Sequence, residues 1–283
     1  MMDQVCRFLF EDLDIRGALV QLGPAWRQMQ AERGYGDTAR NLLGELSAVA
    51  AIIGSTLKTP GRLTFHLRGH GPVRLLVVDC DEQLRLRGLA KAPQDLLAGS
   101  ISDLFGDGQL ALTLDTNQAR QPYQSIVPLD GSSVASVFEH YLMQSEQTPS
   151  RLWLMADAGH ACGLFLQKLP EADQRDADGW NRIQQLAATI TPAELALPAD
   201  TLLTRVFPEE DVRLFQPHAV TYHCPRDEEK VLEMLRSLGR TELEATLAEQ
   251  GEIVINDDIC NQEYRFGPDV LEVLFPPAAR TLH

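Results

Sequence analysis

The sequence lacks any long apolar segment that could cross a membrane. Its apolar runs, such as Leu75–Val78, fall far short of the roughly 20 residues that a spanning helix needs. The first residues also lack the basic region and the apolar core that are typical of a signal peptide. From these absences we expect a cytoplasmic protein.

Positive charge is scarce. Lys and Arg number 25 against 40 Asp and Glu, which gives a formal net charge of −15. Such an acidic surface repels nucleic-acid phosphates and anionic lipid heads, so we expect neither nucleic acid nor membrane among the partners. Apolar residues still make up 44% of the 283 residues, which is enough for a core of ordinary size in one large domain or two modest ones.

Cysteines are few, odd in number and widely spread, which argues against a framework of structural disulfides. Cys80 follows an apolar run, and Cys162 and Cys6 also lie in apolar stretches, so we expect these three to be small core residues. Cys224 and Cys260 are different because they stand among polar residues.

Motifs of common enzymes are missing as well. The chain has no phosphate-binding Gly-x-x-x-x-Gly-Lys loop and no Gly-x-Ser-x-Gly elbow, and Gly106–Gly108 is too short for a dinucleotide fingerprint. The seven histidines are scattered without metal-ligand spacing. His223 adjoins Cys224, but neighbours in a strand point to opposite faces and do not form a nucleophile–base pair. We therefore predict that the protein is not an enzyme.

Residues 1–170 have the pattern of an α+β domain with a mainly antiparallel sheet. A helix is predicted from Asp37 or Thr38 to about Ile53, with Gly54 as its stop, and another from Ser132 or Ser133 to about Gln144. Alternating apolar residues predict strands in between. These strands fall at about residues 63–67, 73–78, 84–88, 110–114 and 123–129, and a hairpin follows at 151–155 and 162–168.

Residues 171–218 are predicted to form an acidic helical linker, called here the linker segment. Trp180, Ile183 and Leu186 share one helical face, and Thr191 with Glu194 forms a capping box. Two interpretations remain open. The short helices either simply cover the sheet, or they detach from it and expose their apolar faces.

Residues 219–283 are predicted to form a small separate domain. A helix ends at Gly239, a capping box at Thr241 and Glu244 starts a second helix that ends at Gly251, and a hairpin turns at 256–258. A unit this small buries little core and gains stability from a metal, a disulfide or a docking surface.

Several stretches together resemble a known family. They are Phe8–Glu11, Ile15–Gly17, Gly69–Pro72, Leu86–Gly88, Gly106–Gly108, Leu112–Asp115, Tyr123–Leu129, Gln144–Gln147 and Leu247–Ile253. Taken over essentially the whole length, the chain resembles the bacterial heat shock protein 33 family of redox-regulated holdase chaperones.

The resemblance implies an α+β N-terminal domain, a helical linker and a small C-terminal redox switch domain. In the family, four cysteines in Cys-x-Cys and Cys-x-x-Cys motifs hold zinc. Oxidation forms a disulfide within each motif, ejects zinc, unfolds the linker and exposes a surface for unfolded clients without need for ATP. Unfolded proteins are therefore the expected partners, and a homodimer is the form that the resemblance suggests for the active state.

This sequence departs from the family at the switch. The first motif is Cys224–Pro225–Arg226 and the second is Asp257–Asp258–Ile259–Cys260, so Arg226 and Asp257 replace two zinc ligands. Neither family disulfide can form, and a four-thiolate zinc site is excluded. A residual site of His223, Cys224, Asp257 and Cys260 would put zinc beside the permanent charge of Arg226, so we expect no cofactor.

Three interpretations of the altered motifs remain open. Arg226 and Asp257 could form a hydrogen-bonded pair where zinc once joined the two halves. Cys224 and Cys260 could form a single disulfide between the motifs, provided that their Cα atoms lie within about 7 Å. Alternatively, both cysteines are leftover thiols without a function.

The sequence therefore predicts a holdase whose zinc switch is lost, and whose activity is either constitutive or controlled by one Cys224–Cys260 disulfide. Two rivals are a thiol-based peroxide-reducing enzyme or sensor that uses this cysteine pair, and a protein that holds one dedicated partner. The candidate client-binding residues are Trp180, Ile183, Leu186, Leu202, Leu203, Val206 and Phe207.

Overall fold

The computed structural model describes residues 3–116 and 121–276, and the chain divides into two units at residue 223. The first unit is Met1–His223 and the second is Cys224–His283. The linker segment thus falls within the first unit. Of the predicted small domain, residues 277–283 lie outside the part that the structure describes.

The first unit contains two sheets and the helices that cover them. Its elements are β1 Gln4–Phe10, β2 Ile15–Leu22, α1 Pro24–Gln30, α2 Asp37–Thr56, β3 Gly61–Arg68, β4 Leu75–Cys80, β5 Arg85–Lys91, α3 Ile101–Phe105, β6 Gln109–Thr116, β7 Tyr123–Pro128, α4 Val134–Glu146, β8 Ser150–Ala156, β9 Ala161–Lys168, α5 Ala172–Arg175, α6 Gly179–Ala187, α7 Pro192–Leu195, α8 Ala199–Val206, β10 Val212–Leu214, β11 His218–Ala219 and β12 Thr221–Tyr222.

Both sheets are mainly antiparallel, as the sequence predicts. Sheet 1 has the order β10-β1-β2-β9-β8, with β11 also pairing with β1, and sheet 2 has the order β12-β5-β4-β3-β6-β7. Within the described residues, only β12 runs parallel to its neighbour, β5. The α+β prediction is therefore confirmed, and the parallel pair is an addition that strand patterns do not reveal.

Helix α2 lies at the centre of the first unit because most of its side chains are apolar and buried against both sheets. The prediction that Gly54 ends this helix is wrong, since the helix continues to Thr56. A Cβ atom at Gly54 would lie 2.8 Å from the Cys80 sulfur, so close packing explains the glycine. Within the described residues, none of the helices has the length and apolarity to cross a bilayer.

The second unit packs three helices and a hairpin around its own small core. Its described elements are α9 Glu228–Leu238, α10 Arg240–Gln250, β13 Ile253–Asp257, β14 Gln262–Phe266 and α11 Val270–Leu274.

The core of this unit is formed by Leu235, Leu243, Tyr264 and a few neighbouring apolar side chains. The predicted capping box at Thr241 and Glu244 is not formed. Helix α10 begins directly after Gly239, and Glu244 instead accepts a hydrogen bond from Arg240 at 2.7 Å.

Candidate functional site

The linker segment covers the apolar face of sheet 1 that points away from α2. Side chains alternate along β1, β2 and β9, so one set meets α2 and the other set meets the linker segment. The set under the linker segment consists of Cys6, Phe8, Phe10, Ile15, Leu19, Cys162, Leu164 and Leu166. This face is therefore a candidate client-binding surface that is closed in the present structure.

None of the predicted client-binding residues is exposed. Ile183, Leu202, Leu203, Val206 and Phe207 are buried on sheet 1, with Phe207 meeting Phe10 edge to face at 5.0 Å between ring centroids. The other two, at positions 180 and 186, are partly buried at the rim of the same cluster. These side chains can meet a client only after the linker segment leaves the sheet.

A buried glutamine fixes the linker segment to the sheet. Gln21 of β2 is 2% exposed and its amide nitrogen donates to the carbonyl of Leu195, at 2.9 Å, and to that of Leu197. These carbonyls lie at the C-terminal end of α7, where backbone acceptors have no partner within the helix. The sequence analysis missed Gln21, although a polar residue on an otherwise apolar strand face is a usable signal.

Ion pairs also join the two ends of the helical part of the linker segment. The Arg182 guanidinium of α6 contacts Asp176 at 2.9 Å and Glu210 at 2.8 Å, which joins the start of the segment to the turn after α8. Both carboxylates favour the charged guanidinium and raise the pKa of Arg182. Both ion pairs of Arg182 are partly exposed, so their contribution to the stability of the docked segment is modest beside that of the apolar contacts.

The end of the linker segment pairs with sheet 1, and the residues directly after it pair with sheet 2. Strand β10 pairs with β1, with Leu214 opposite Phe8, and β11 pairs with β1 further along. Strand β12 then adds to β5 in the other sheet, with Thr221 opposite Arg85. The helices α5 to α8 are consequently held at both ends by strands.

The second unit brings the two polar-region cysteines together. Cys224 and Cys260 form a disulfide, with their Cα atoms 5.4 Å apart and a sequence separation of 36 residues. The amide of Gln262 donates to the carbonyl of Cys224 at 2.8 Å, and Cys260 is buried. The bond joins the segment before α9 to the β13–β14 hairpin.

The two residues at replaced zinc-ligand positions are engaged separately. Arg226 lies over the ring of Tyr264, with its guanidinium carbon 4.4 Å from the ring centroid, and donates to the carbonyl of Glu263 at 3.1 Å. Asp257 accepts from the backbone amides of Ile259 and Cys260 at 3.1 and 3.2 Å. The Arg226–Asp257 pair, one of the interpretations that the sequence left open, is not formed: among the described residues no ion pair joins them.

The residues present do not fit a zinc ion. Both sulfurs are bonded to each other, the Asp257 carboxylate turns to backbone amides, and the His223 backbone extends the pairing with β5 by donating to Leu86. Across the described parts of the chain, no three His, Cys, Asp or Glu side chains form a group that could hold a metal. The residual zinc site considered from the sequence is not formed.

The three remaining cysteines are buried, as the sequence predicts. Burial raises the pKa of Cys80 and that of Cys162 to about 12. Burial, assisted by the negative charge of Asp200, raises the pKa of Cys6. All three stay protonated near neutral pH, and a protonated thiol is a poor nucleophile.

Comparison with known proteins agrees with this architecture. The family model described as Hsp33 protein matches residues 3–267. The chain belongs to the Hsp33 family. Among curated Hsp33 relatives, the 33 kDa chaperonin of Methylobacillus flagellatus is 42% identical over 276 residues, covering 96% of this chain and 94% of the relative. That of Nitrosococcus oceani is 41% identical over 274 residues, with the same coverage of both chains.

A solved Hsp33 structure has the same fold. The crystal structure of the 33 kDa chaperonin (heat shock protein 33 homolog) from Thermotoga maritima superposes with a TM-score of 0.80 at 23% identity, covering 96% of this chain and 97% of the other. The resemblance that the sequence motifs indicated is thereby confirmed for the family and the fold.

Proposed function

We propose that this protein is an ATP-independent holdase chaperone that binds unfolded or oxidatively damaged proteins in the cytoplasm. Its family membership and the name 33 kDa chaperonin given to its relatives support a chaperone. The observation that carries the proposal is the apolar contact between the linker segment and sheet 1, because its opening would expose two matched apolar surfaces.

The helices of the linker segment are too short to remain folded once they leave sheet 1. They are four to nine residues long, well below the length at which an isolated helix is stable in water. Their folded state thus depends on contact with sheet 1. Once detached, the segment presents Trp180, Ile183, Leu202 and their neighbours to apolar stretches of an unfolded client, and no nucleotide is needed for that contact.

The family's four-cysteine zinc switch is replaced, in this proposal, by one disulfide with the opposite effect. In the pattern implied by the resemblance, oxidation ejects zinc from the switch domain and unfolds the linker. Here the Cys224–Cys260 bond joins residues that are neighbours in the folded second unit, so oxidation stabilises this unit and reduction weakens it. Control by this bond would make the reduced chain the more active form.

The test is light scattering from a chemically unfolded client that aggregates on dilution, with the full chain either reduced or disulfide-bonded. We expect strong suppression of aggregation by the reduced chain and weaker suppression by the oxidised chain. Equal suppression by both forms would show a constitutive holdase and remove the disulfide from the regulation. Suppression by neither form would overturn the holdase proposal.

Two controls separate this function from its rivals. The variant Cys260→Ser should behave like the reduced chain under both conditions, because no disulfide can form. Peroxide added with a thiol reductant should not be consumed catalytically, whereas a peroxide-reducing enzyme would turn it over. Gel filtration of the active form with and without client tests whether a homodimer accompanies activity.

A further inference from the structure

A cavity of about 370 Å³ opens on the α2 side of sheet 1, beyond the point where α2 ends at Thr56. Because the helix stops there, part of the sheet face has no helical cover. The cavity has a size within the range of small-molecule sites. Its lining residues include Arg7, Arg16, Ala18, Phe165 and Phe215.

The strand register explains the shape of this cavity. Arg7, Ala18 and Phe165 are direct neighbours across β1, β2 and β9, and Leu9, Arg16 and Gln167 form the next such row. The small Ala18 leaves a depression in the sheet between larger side chains. Phe215 completes one wall, held there because its backbone amide donates to the carbonyl of Arg7 at 2.9 Å.

Two guanidinium groups border this depression without an acidic partner. Among the described residues, no carboxylate lies within ion-pair distance of Arg7 or Arg16, although acids outnumber bases by 15 in the chain. The Nε of Arg7 is buried and has no hydrogen-bond partner, and its Nη1 lies 3.5 Å from the carbonyl of Ser55. A buried donor without an acceptor is costly, and a bound anion would satisfy it.

The other guanidinium is oriented by a buried glutamine. The Nε of Arg16 donates to Oε1 of Gln167 at 2.7 Å. The amide nitrogen of Gln167 donates to Glu146 at 3.1 Å and to Ser150 at 3.2 Å, which fixes the amide so that its oxygen faces Arg16. Glu146 accepts this hydrogen bond and is not among the residues that line the cavity.

From this geometry we propose that the cavity binds a small amphipathic monocarboxylate with an apolar body of the size of a medium-chain acyl group. The carboxylate would accept hydrogen bonds from Arg7 and Arg16, which are charged donors suited to that geometry. The apolar body would lie on Ala18 between Phe165 and Phe215. This inference goes beyond the proposed chaperone function and does not depend on it.

Isothermal titration calorimetry of the full chain with octanoate tests the proposal, with octanamide as the uncharged probe of the same length. We expect one octanoate per chain and affinity for octanamide that is at least about tenfold lower, since a hydrogen bond to a charged group is worth roughly 1.4 kcal/mol or more. Arg7→Gln and Arg16→Gln should each weaken octanoate binding by about tenfold.

Matched variants separate the cavity from general apolar binding. Arg68→Gln, an exposed arginine on β3, should bind octanoate like the native chain. Phe215→Ala changes a side chain that is 41% exposed, so it should weaken binding without unfolding the chain, which circular dichroism would check. The proposal would be overturned if octanoate did not bind, bound without saturation, or bound no more tightly than octanamide. Unchanged octanoate binding in both arginine variants would also overturn it.

Discussion

At the scale of single residues, Glu45 shows how burial couples the protein's stability to pH. This carboxyl group lies on α2, and burial raises its pKa from an ordinary value of 4.5 to about 7. The folded state therefore holds its proton more tightly than the unfolded chain does. Stability contributed by the protonated group is complete below pH 4.5 and is lost as the pH rises towards 7.

We predict that Glu45→Gln removes this loss. Relative to the native chain, the variant should gain up to about 3 kcal/mol in the free energy of unfolding between pH 5 and pH 8, because each pKa unit corresponds to about 1.4 kcal/mol. Urea unfolding at the two pH values measures this change. Glu82→Gln, at an exposed position, is the control and should leave the pH dependence unaltered; a parallel curve for Glu45→Gln would contradict the argument.

The disulfide gives a second prediction at the residue scale. Closing a loop with a sequence separation of 36 residues is worth roughly 3–4 kcal/mol in the chain-entropy model. Cys260→Ser should therefore destabilise the second unit by about this amount. Hydrogen exchange of peptides from α9, α10 and the β13–β14 hairpin should become faster in the variant.

Treatment of the native chain with a reductant serves as the control for that experiment, since it should accelerate the same peptides and have no further effect on Cys260→Ser. The peptides of sheet 1 report on any indirect change in the first unit. Unchanged exchange in the second unit of the variant would show that the bond has no stabilising role there.

At the scale of elements, α8 covers part of the apolar face of sheet 1 that is proposed to bind clients. Leu202 is fully buried in this contact, so a charged side chain at its position cannot be accommodated without a partner. We predict that Leu202→Asp releases the linker segment and increases the suppression of client aggregation several-fold, irrespective of the disulfide.

Limited proteolysis should then cut the linker segment of Leu202→Asp faster than that of the native chain. Thr204→Ala, two residues further on the exposed side of α8, is the matched control and should change neither the cleavage nor the activity. If Leu202→Asp lowered client binding instead, clients would have to bind the chain with the linker segment still packed on sheet 1.

Local patterns predicted much of this element structure. The central helix, most strands, the hairpin at 151–155 and 162–168, and the Thr191 capping box lie where periodicity and capping residues place them. The errors arose at helix ends, whose positions could not be read from the local sequence pattern. Gly54 lies inside a helix and is a glycine because Cys80 packs closely against it, and Thr241 does not cap because α10 starts earlier, at Arg240.

The candidate site was less predictable for the same reason. The sequence left the disulfide, the Arg226–Asp257 pair and unused thiols open, since none of them follows from spacing alone. In the folded hairpin, Arg226 lies over the ring of Tyr264, and Asp257 accepts hydrogen bonds from nearby backbone amides. Neither side chain separates the sulfurs of Cys224 and Cys260, which are bonded to each other. Gln21 was overlooked because its partners are backbone carbonyls 174 and 176 residues away.

At the scale of the whole molecule, the net charge of −15 should influence which clients are captured fastest. An acidic chaperone attracts basic unfolded chains over a distance that salt shortens to about 10 Å at 0.1 M. We predict that a basic client is captured faster than an acidic client of similar length at low salt, and that the difference largely disappears at about 0.3 M salt.

Stopped-flow light scattering with the two clients measures these capture rates. The final extent of suppression should change less than the rates, because apolar contacts hold the complex once it has formed. Capture rates that are independent of salt for both clients would show that the acidic surface plays no part in the encounter.

The attachment of the linker segment at both ends has a consequence for the release of clients. Residues 169–211 lie between β9 and β10, each of which belongs to sheet 1, so the detached helices form a closed arc of 43 residues and not a free tail. An arc of this length stays near the sheet at an effective concentration in the millimolar range. If clients bind that face of sheet 1 as proposed, the arc would therefore compete with them for it. Weakly held segments of a refolding client would be displaced first, and the chaperone would return its cargo without an external source of energy.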